Sequence, residues 1–108
     1  MTQITYSVIC KIDFETLAQD WLDWLNDDHI EKVIKGGASS AQIIKLDKAS
    51  DDQPYVIYEI RYLFDNREAF DNYIENHATQ LRLEGLEIFP PTDGFHYERK
   101  SGEIISTT

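Results

Sequence analysis

The chain has 108 residues, of which 42% are hydrophobic and 28% charged, a composition typical of one globular domain. Twenty acidic and ten basic side chains give a formal net charge of −10, which argues against nucleic acid and anionic membrane surfaces as partners. Cys10 is the only cysteine, so an internal disulfide and a thiolate zinc site are excluded. No apolar stretch approaches the ~20 residues that cross a bilayer, and the first residues lack the pattern of a leader peptide. The cytoplasm is therefore the expected location.

The chain begins with a predicted strand and a predicted helix. Apolar residues alternate with polar ones through Ile4–Ile12, which is typical of a strand with one buried face. From residue 13 to residue 25 the apolar residues recur at steps of three and four, which predicts an amphipathic helix. Trp21 and Trp24 lie on its apolar stripe and predict a large buried aromatic surface.

A break in this helix is expected at residues 26–28. Asp28 and Glu31 have the spacing of a capping box, so a second helical segment should begin there and cover residues 29–35. A glycine pair ends that segment. Residues 38–46 then read as the second strand, followed by a polar turn.

The second half of the chain repeats the order of the first. Residues 55–64 are rich in β-branched and aromatic side chains and predict a long strand. Asp65 and Glu68 have capping-box spacing and open a helix that should end at Gly85. A final strand is predicted at residues 95–100, and the polar end after it should be frayed or form an arm.

This order of elements predicts an α+β fold of the ferredoxin-like βαββαβ type, as one domain over residues 1–108. Both helices should cover the same face of a four-stranded antiparallel sheet. The other face would be bare, although Ile9, Ile57 and Leu63 lie on it. An exposed apolar face usually marks an interaction surface, so the sequence predicts a homodimer in which two sheets close a shared barrel.

Three stretches of the sequence carry a resemblance to a known family. They are the segment 21–25 (WLDWL) with His29 after it, the pair Tyr58 and Glu59, and the segment 77–86 (HATQLRLEGL). Together they resemble a family of small uncharacterised bacterial proteins in the dimeric α+β-barrel superfamily. The resemblance implies a ferredoxin-like protomer that pairs into a barrel, and it implies no established activity. The family often has proline where this chain has Glu31.

Five residues are candidates for a ligand site. Glu59 and Arg61 lie mid-strand on the face expected to line the barrel, where opposite charges need each other or a ligand. With Ser7 and Tyr97 they could form an acid–base or anion-binding pocket. The alternative is a salt bridge in the dimer interface. His29 could reach the mouth of the barrel, and His29 and Glu59 are the candidates for a general base. The alternative for His29 is a local hydrogen bond or simple exposure to water.

No metal site or cofactor is predicted. The histidines, which include His77 and His96, lack the spacings of common metal motifs, and no phosphate-binding loop or nucleophile elbow is present. Three functions therefore stay open. The first is a homodimer that binds a small organic ligand in its barrel. The second is a cofactor-independent monooxygenase or isomerase. The third is a structural or partner-binding module with a filled barrel.

Overall fold

The structure, a computed structural model, describes residues 2–108 as four strands and two long helices. The strands are β1 Ile4–Ile12, β2 Ser40–Lys45, β3 Val56–Phe64 and β4 Phe95–Glu103. The helical segments are α1 Ala18–Trp24, α2 Ile30–Lys35, α3 Arg67–Tyr73 and α4 Thr79–Ile88. A π-helical turn, Leu25–His29, joins α1 to α2, and a second one, Ile74–Ala78, joins α3 to α4. Short 3-10 turns, Glu15–Leu17 and Pro91–Asp93, precede α1 and β4.

The strands form one antiparallel sheet in the order β2-β3-β1-β4. In the centre of the sheet, Ser7 of β1 lies opposite Arg61 of β3 on one side and Lys100 of β4 on the other. This order is that of a ferredoxin-like fold, so the predicted architecture is confirmed. The sheet is open, with β2 and β4 as its two edge strands.

The hydrophobic core lies between the helices and one face of the sheet. Alternate residues of β1 and β3 are buried, except the half-buried Val8, as the period-two pattern predicts. Tyr6 stands in the middle of an aromatic cluster, with its ring centroid 6.0 Å from that of Tyr62 and 5.9 Å from that of Tyr73. Trp21 of α1 is also fully buried. Burial of these large rings contributes favourably to folding.

The predicted break at residues 26–28 is wrong. The first long helix continues through Leu25–His29 as a π turn, and His29 has helical backbone angles of φ −67° and ψ −47°. The Asp28 carboxylate caps no helix and instead lies 3.2 Å from Lys32 Nζ, one turn further on. An aspartate at this position can cap a helix that begins after it, or it can pair with a lysine four residues later. The second role is possible because side chains four residues apart on a helix are neighbours. Spacing alone therefore does not identify a cap.

The second long helix begins and ends at residues other than those predicted. The cap is Asn66, not Asp65, since Asn66 Oδ1 accepts a hydrogen bond from the backbone nitrogen of Ala69 at 2.8 Å. Gly85 does not end the helix, which continues three residues beyond it. A Cβ at Gly85 would lie only 3.2 Å from the Trp24 indole. The glycine therefore allows the two long helices to approach each other.

The last strand is longer than predicted, and the second strand is shorter. Residues 101–103 are not frayed, because they continue β4 alongside β1, with Ser101 opposite Tyr6 and Gly102 opposite Thr5. Their polar side chains give no strand pattern of their own. The order at this end of β4 comes from pairing with a strand at the other end of the sequence.

Candidate functional site

A cavity of about 30 Å³ lies between the sheet and the two long helices. A cavity of this volume has room for about two water molecules. Side chains from β1, β3, β4 and from both long helices line it. The polar and aromatic ones that matter below are Tyr62, Tyr73, Arg82, Arg99, His29 and Trp24.

Unpaired polar atoms are concentrated around this cavity. Within residues 2–108, five buried side-chain nitrogen and oxygen atoms have no hydrogen-bond partner, and all five belong to residues that line the cavity. They are Nε1 of Trp21, Nδ1 of His29, the hydroxyl of Tyr62, and Nε of both Arg82 and Arg99. An unpaired buried polar atom costs about 1–3 kcal/mol and is rare in native proteins. These atoms are therefore free to form hydrogen bonds with a molecule, water included, that enters the cavity.

Two arginines bring positive charge to the cavity. Arg82 is on α4 and donates a hydrogen bond from Nη2 to the Tyr6 hydroxyl at 3.1 Å. Arg99 is on β4, with its guanidinium carbon 5.8 Å from the centre of the Tyr97 ring. Both side chains are partly buried, and neither forms a salt bridge with any carboxylate in the part of the chain that the structure describes. Neither guanidinium therefore has a carboxylate partner among the described residues.

Tyrosine hydroxyls supply neutral hydrogen-bond donors beside these charges. Burial raises the pKa of Tyr62 well above its usual range, so its hydroxyl keeps its proton. Burial also raises the pKa of Tyr73, although the nearby charges of Arg82 and Arg99 act in the opposite direction. The cavity thus has two cations and two protonated phenols, a set that suits an anionic oxygen ligand.

His29 reaches this cavity because of the π turn. The turn carries an extra residue, so residue 29 stacks on Trp24 with its ring centroid 4.4 Å away and an angle of 22° between the ring planes. Burial lowers the pKa of His29 to about 4, and the charges of Lys32 and Arg99 also lower it, against the opposing carboxylates of Glu84 and Asp28. The imidazole is therefore neutral at pH 7.

Tyr97 also lines the cavity, but its hydroxyl already has a partner. It donates a hydrogen bond to the backbone oxygen of Phe89 at 3.0 Å. Burial raises the pKa of this hydroxyl above its usual range, so it stays a donor committed to that oxygen. Tyr97 therefore contributes a wall of the cavity rather than a free polar group.

The other three predicted site residues lie on the opposite, uncovered face of the sheet. Glu59 Oε2 accepts hydrogen bonds from Ser7 Oγ at 2.9 Å and from Arg61 Nε at 3.1 Å. Burial raises the pKa of Glu59, but these two hydrogen bonds and the charges of Arg61 and Lys100 outweigh it, so the net pKa is lowered. The structure therefore brings Ser7, Glu59 and Arg61 together and separates them from Tyr97 and His29 by the thickness of the sheet.

Two residues of the cavity, Arg82 and Arg99, were not among the sequence candidates. A signal for Arg99 was present, because it continues the inward alternation of Phe95 and Tyr97 on the last strand. Arg82 directly follows the buried Leu81 on α4 and had no comparable signal. Charged residues next to an apolar stripe are usually solvent-exposed, and only the folded helix shows that this one is partly buried.

The remaining candidates do not form a metal or thiol site. Within residues 2–108, no three His, Cys, Asp or Glu side chains come together around a position for a metal ion. His96 Nε2 lies 3.0 Å from Asp13 Oδ1, and the ring of His77 stacks on Tyr73 with centroids 6.3 Å apart. Burial raises the pKa of Cys10 to about 12, so its thiol is unreactive. Each helix described here is too short or too polar for a bilayer-spanning segment.

Comparison with protein families gives one match. The family described as "Domain of unknown function (DUF4286)" matches residues 3–97. No curated protein is significantly similar to the sequence. The resemblance to a family without a known activity, stated from the sequence, is therefore confirmed.

Several solved structures share the fold at low sequence identity. A dimeric ferredoxin-like protein from an uncultured marine organism has a TM-score of 0.70 and 15% identity, over 99% of this chain and 98% of that one. An EthD-like protein from Ralstonia eutropha JMP134 has a TM-score of 0.68 and 14% identity, over 100% and 96%. A candidate antibiotic biosynthesis monooxygenase from Bacillus cereus has a TM-score of 0.69 and 11% identity, over 100% and 98%. At these identities the similarity shows the fold alone.

Proposed function

Because the chain belongs to the DUF4286 family, whose description names no activity, we propose a function from its own side chains: the cavity binds a small organic anion. The observation that carries this proposal is the pair Arg82 and Arg99. In a chain of net charge −10, these two partly buried cations face one cavity, and no carboxylate of residues 2–108 forms a salt bridge with either. A buried charge without a partner is unfavourable, and a bound carboxylate would supply that partner.

The size of the cavity limits what it can hold. About 30 Å³ accommodates the carboxylate head of a ligand but not a large body. Trp24 and Leu86 also line the cavity and are partly exposed. An apolar or aromatic body attached to the carboxylate would therefore extend along these two side chains towards solvent. This position differs from the barrel interior expected from the sequence, because the unpaired polar groups lie on the helix side of the sheet.

The titration of the candidate bases favours binding over proton abstraction. A general base is most effective when its pKa is near the working pH. The pKa of His29 is about 4, and that of Glu59 is lowered from its usual range, so both are weak bases at pH 7. Neutral His29, with its unpaired Nδ1, suits a role as a hydrogen-bond partner in the cavity. Cofactor-independent oxidation or isomerisation is the alternative function, and it would need a stronger base than either residue provides.

Tryptophan fluorescence provides a direct test, because Trp21 and Trp24 are the only tryptophans and both line the cavity. The ligands to compare are acetate, benzoate, phenylacetate and indole-3-acetate, each with its amide. The amide has nearly the same shape as the carboxylate but carries no charge. At least one carboxylate should change the emission in a saturable way, and its amide should not. Indole-3-acetate and its amide fluoresce themselves, so this pair needs calorimetry instead. Arg82→Gln or Arg99→Gln should weaken binding about tenfold or more, because each removes a charge-assisted hydrogen bond.

Arg61→Gln is the matched control, since it removes an arginine from the opposite face of the sheet and should leave the affinity unchanged. Thermal unfolding of each variant checks that it folds. The proposal is wrong if no carboxylate binds, if the amides bind equally well, or if folded Arg82→Gln and Arg99→Gln bind as tightly as the unaltered protein.

A further inference from the structure

His29 connects the cavity to a cluster of charges outside it. Its ring stacks on Trp24, with the two centroids 4.4 Å apart, and its Nδ1 is buried without a hydrogen-bond partner. The ring shares the wall of the cavity with Arg82 and Arg99. Of the chain's three histidines, all within residues 2–108, it alone lines this cavity.

We propose that an organic anion that binds in the cavity brings a proton onto His29, so that the protein takes up the anion and one proton together. The proton comes from solvent, and the resulting imidazolium donates a hydrogen bond from Nδ1 to the anion. This inference rests on the proposed function, because it needs an anion in the cavity. It adds to the site a third cation that is present only while the ligand is bound.

Without an anion, the surroundings of His29 favour the neutral ring. Burial is the main reason that the pKa of His29 is lowered to about 4. The carboxylates of Glu84, on α4, and Asp28, on the same π turn, act in the opposite direction. Lys32 of α2 offsets them, because its Nζ lies 3.3 Å from Glu84 Oε2 and 3.2 Å from Asp28 Oδ2. Arg99 of β4 adds a second positive charge from the side of the cavity.

A bound carboxylate changes this balance. The four charges that face His29 are equal in number, two negative and two positive, and the ligand adds a third negative one. The cavity, of about 30 Å³, is small enough to hold a carboxylate within about 5 Å of the polar atoms in its wall. A charge at this distance shifts a pKa by about 1–3, so the pKa of His29 should rise by about 2 when the anion binds.

The same coupling makes the affinity depend on pH. When an anion and a proton favour each other's binding, the effect is reciprocal, so the anion should bind more tightly as the pH falls. The other ionisable groups in the wall of the cavity are tyrosines and arginines, and they do not titrate between about pH 5 and about pH 8. His29 is therefore the group in this wall that can produce such a dependence.

Proton NMR of the histidine rings tests the proposal directly. The Hε1 resonance of each histidine is followed from about pH 4 to about pH 8, with and without a saturating carboxylate. The probe is the tightest binder among benzoate, phenylacetate and indole-3-acetate. The pKa of His29 should rise by about 2 in its presence, while the resonances of His77 and His96 should titrate as before. His29→Gln assigns the His29 resonance, because that resonance is missing from its spectrum.

Calorimetry measures the coupling as affinity. The unaltered protein should bind the carboxylate about fourfold more tightly at about pH 5.5 than at about pH 8, where the ligand is ionised at both values. Titrations in two amine buffers of different ionisation enthalpy should show an uptake of about 0.7 proton per anion at the lower pH. Anionic buffers are avoided because they would compete for the site.

Two variants show whether His29 causes the effect. His29→Gln cannot titrate, so its affinity should not change between the two pH values. His96→Gln is the matched control, because it removes an exposed histidine that pairs with Asp13 instead of lining the cavity, and it should keep the fourfold difference. Circular dichroism at both pH values checks that each protein is folded.

Two results would overturn the proposal and leave anion binding intact. One is a carboxylate that binds without raising the pKa of His29. The other is a folded His29→Gln protein whose affinity keeps the same pH dependence as the unaltered protein. If none of the three carboxylates binds at either pH, the proposed function itself is wrong, and the coupling is wrong with it.

Discussion

His29 is held in a place that favours its neutral form, and this has a consequence for stability. Its pKa is about 4 in the folded protein, chiefly because of burial, against about 6.5 in an unfolded chain. Between these values the unfolded chain binds a proton that the folded protein does not. Above pH 6.5 the free energy of unfolding is therefore not reduced by the titration of His29. As the pH falls towards 4, protonation of His29 in the unfolded chain lowers that free energy, by at most about 3 kcal/mol.

His29→Phe isolates this contribution, because phenylalanine keeps a flat ring next to Trp24 and cannot titrate. Urea unfolding at pH 7, 5.5 and 4.5 should show a smaller loss of unfolding free energy in the variant than in the unaltered protein. The carboxylates titrate in both proteins, so the difference between the two profiles reports His29 alone. Parallel profiles would show that His29 is not buried as the structure describes.

At the scale of the helix, the start of α3 tests the structure against the pattern in the sequence. Asn66→Ala should lower the free energy of unfolding by about 1 kcal/mol, because it removes the side-chain oxygen that accepts the hydrogen bond from the Ala69 nitrogen. Asp65→Ala should change it by less than about 0.5 kcal/mol, since Asp65 is exposed and is not the cap. Denaturant unfolding at pH 7 measures both. A larger loss from Asp65→Ala than from Asn66→Ala would show that Asp65 is the cap, as its spacing from Glu68 predicts.

The elements themselves were predictable because their patterns are local. The alternation in β1 and β3 and the apolar stripes of both long helices depend only on near neighbours in the sequence. Their ends were less predictable. Two adjacent residues, Asp65 and Asn66, could each cap α3, and residues 101–103 are ordered by β1 rather than by their own side chains. The π turn at Leu25–His29 has no local signal, and the polar residues 26–28 instead suggest a break.

At the scale of the whole molecule, the candidate site was only partly predictable. The contact among Glu59, Arg61 and Ser7 was predictable once β1 and β3 are paired, because side chains alternate between the two faces along each strand and these three fall on the same face. Tyr97 was expected beside them, but the register of β4 places it opposite Cys10, on the covered face. A shift of one residue in a strand moves every side chain to the other face, so a site that spans three strands requires all registers to be known.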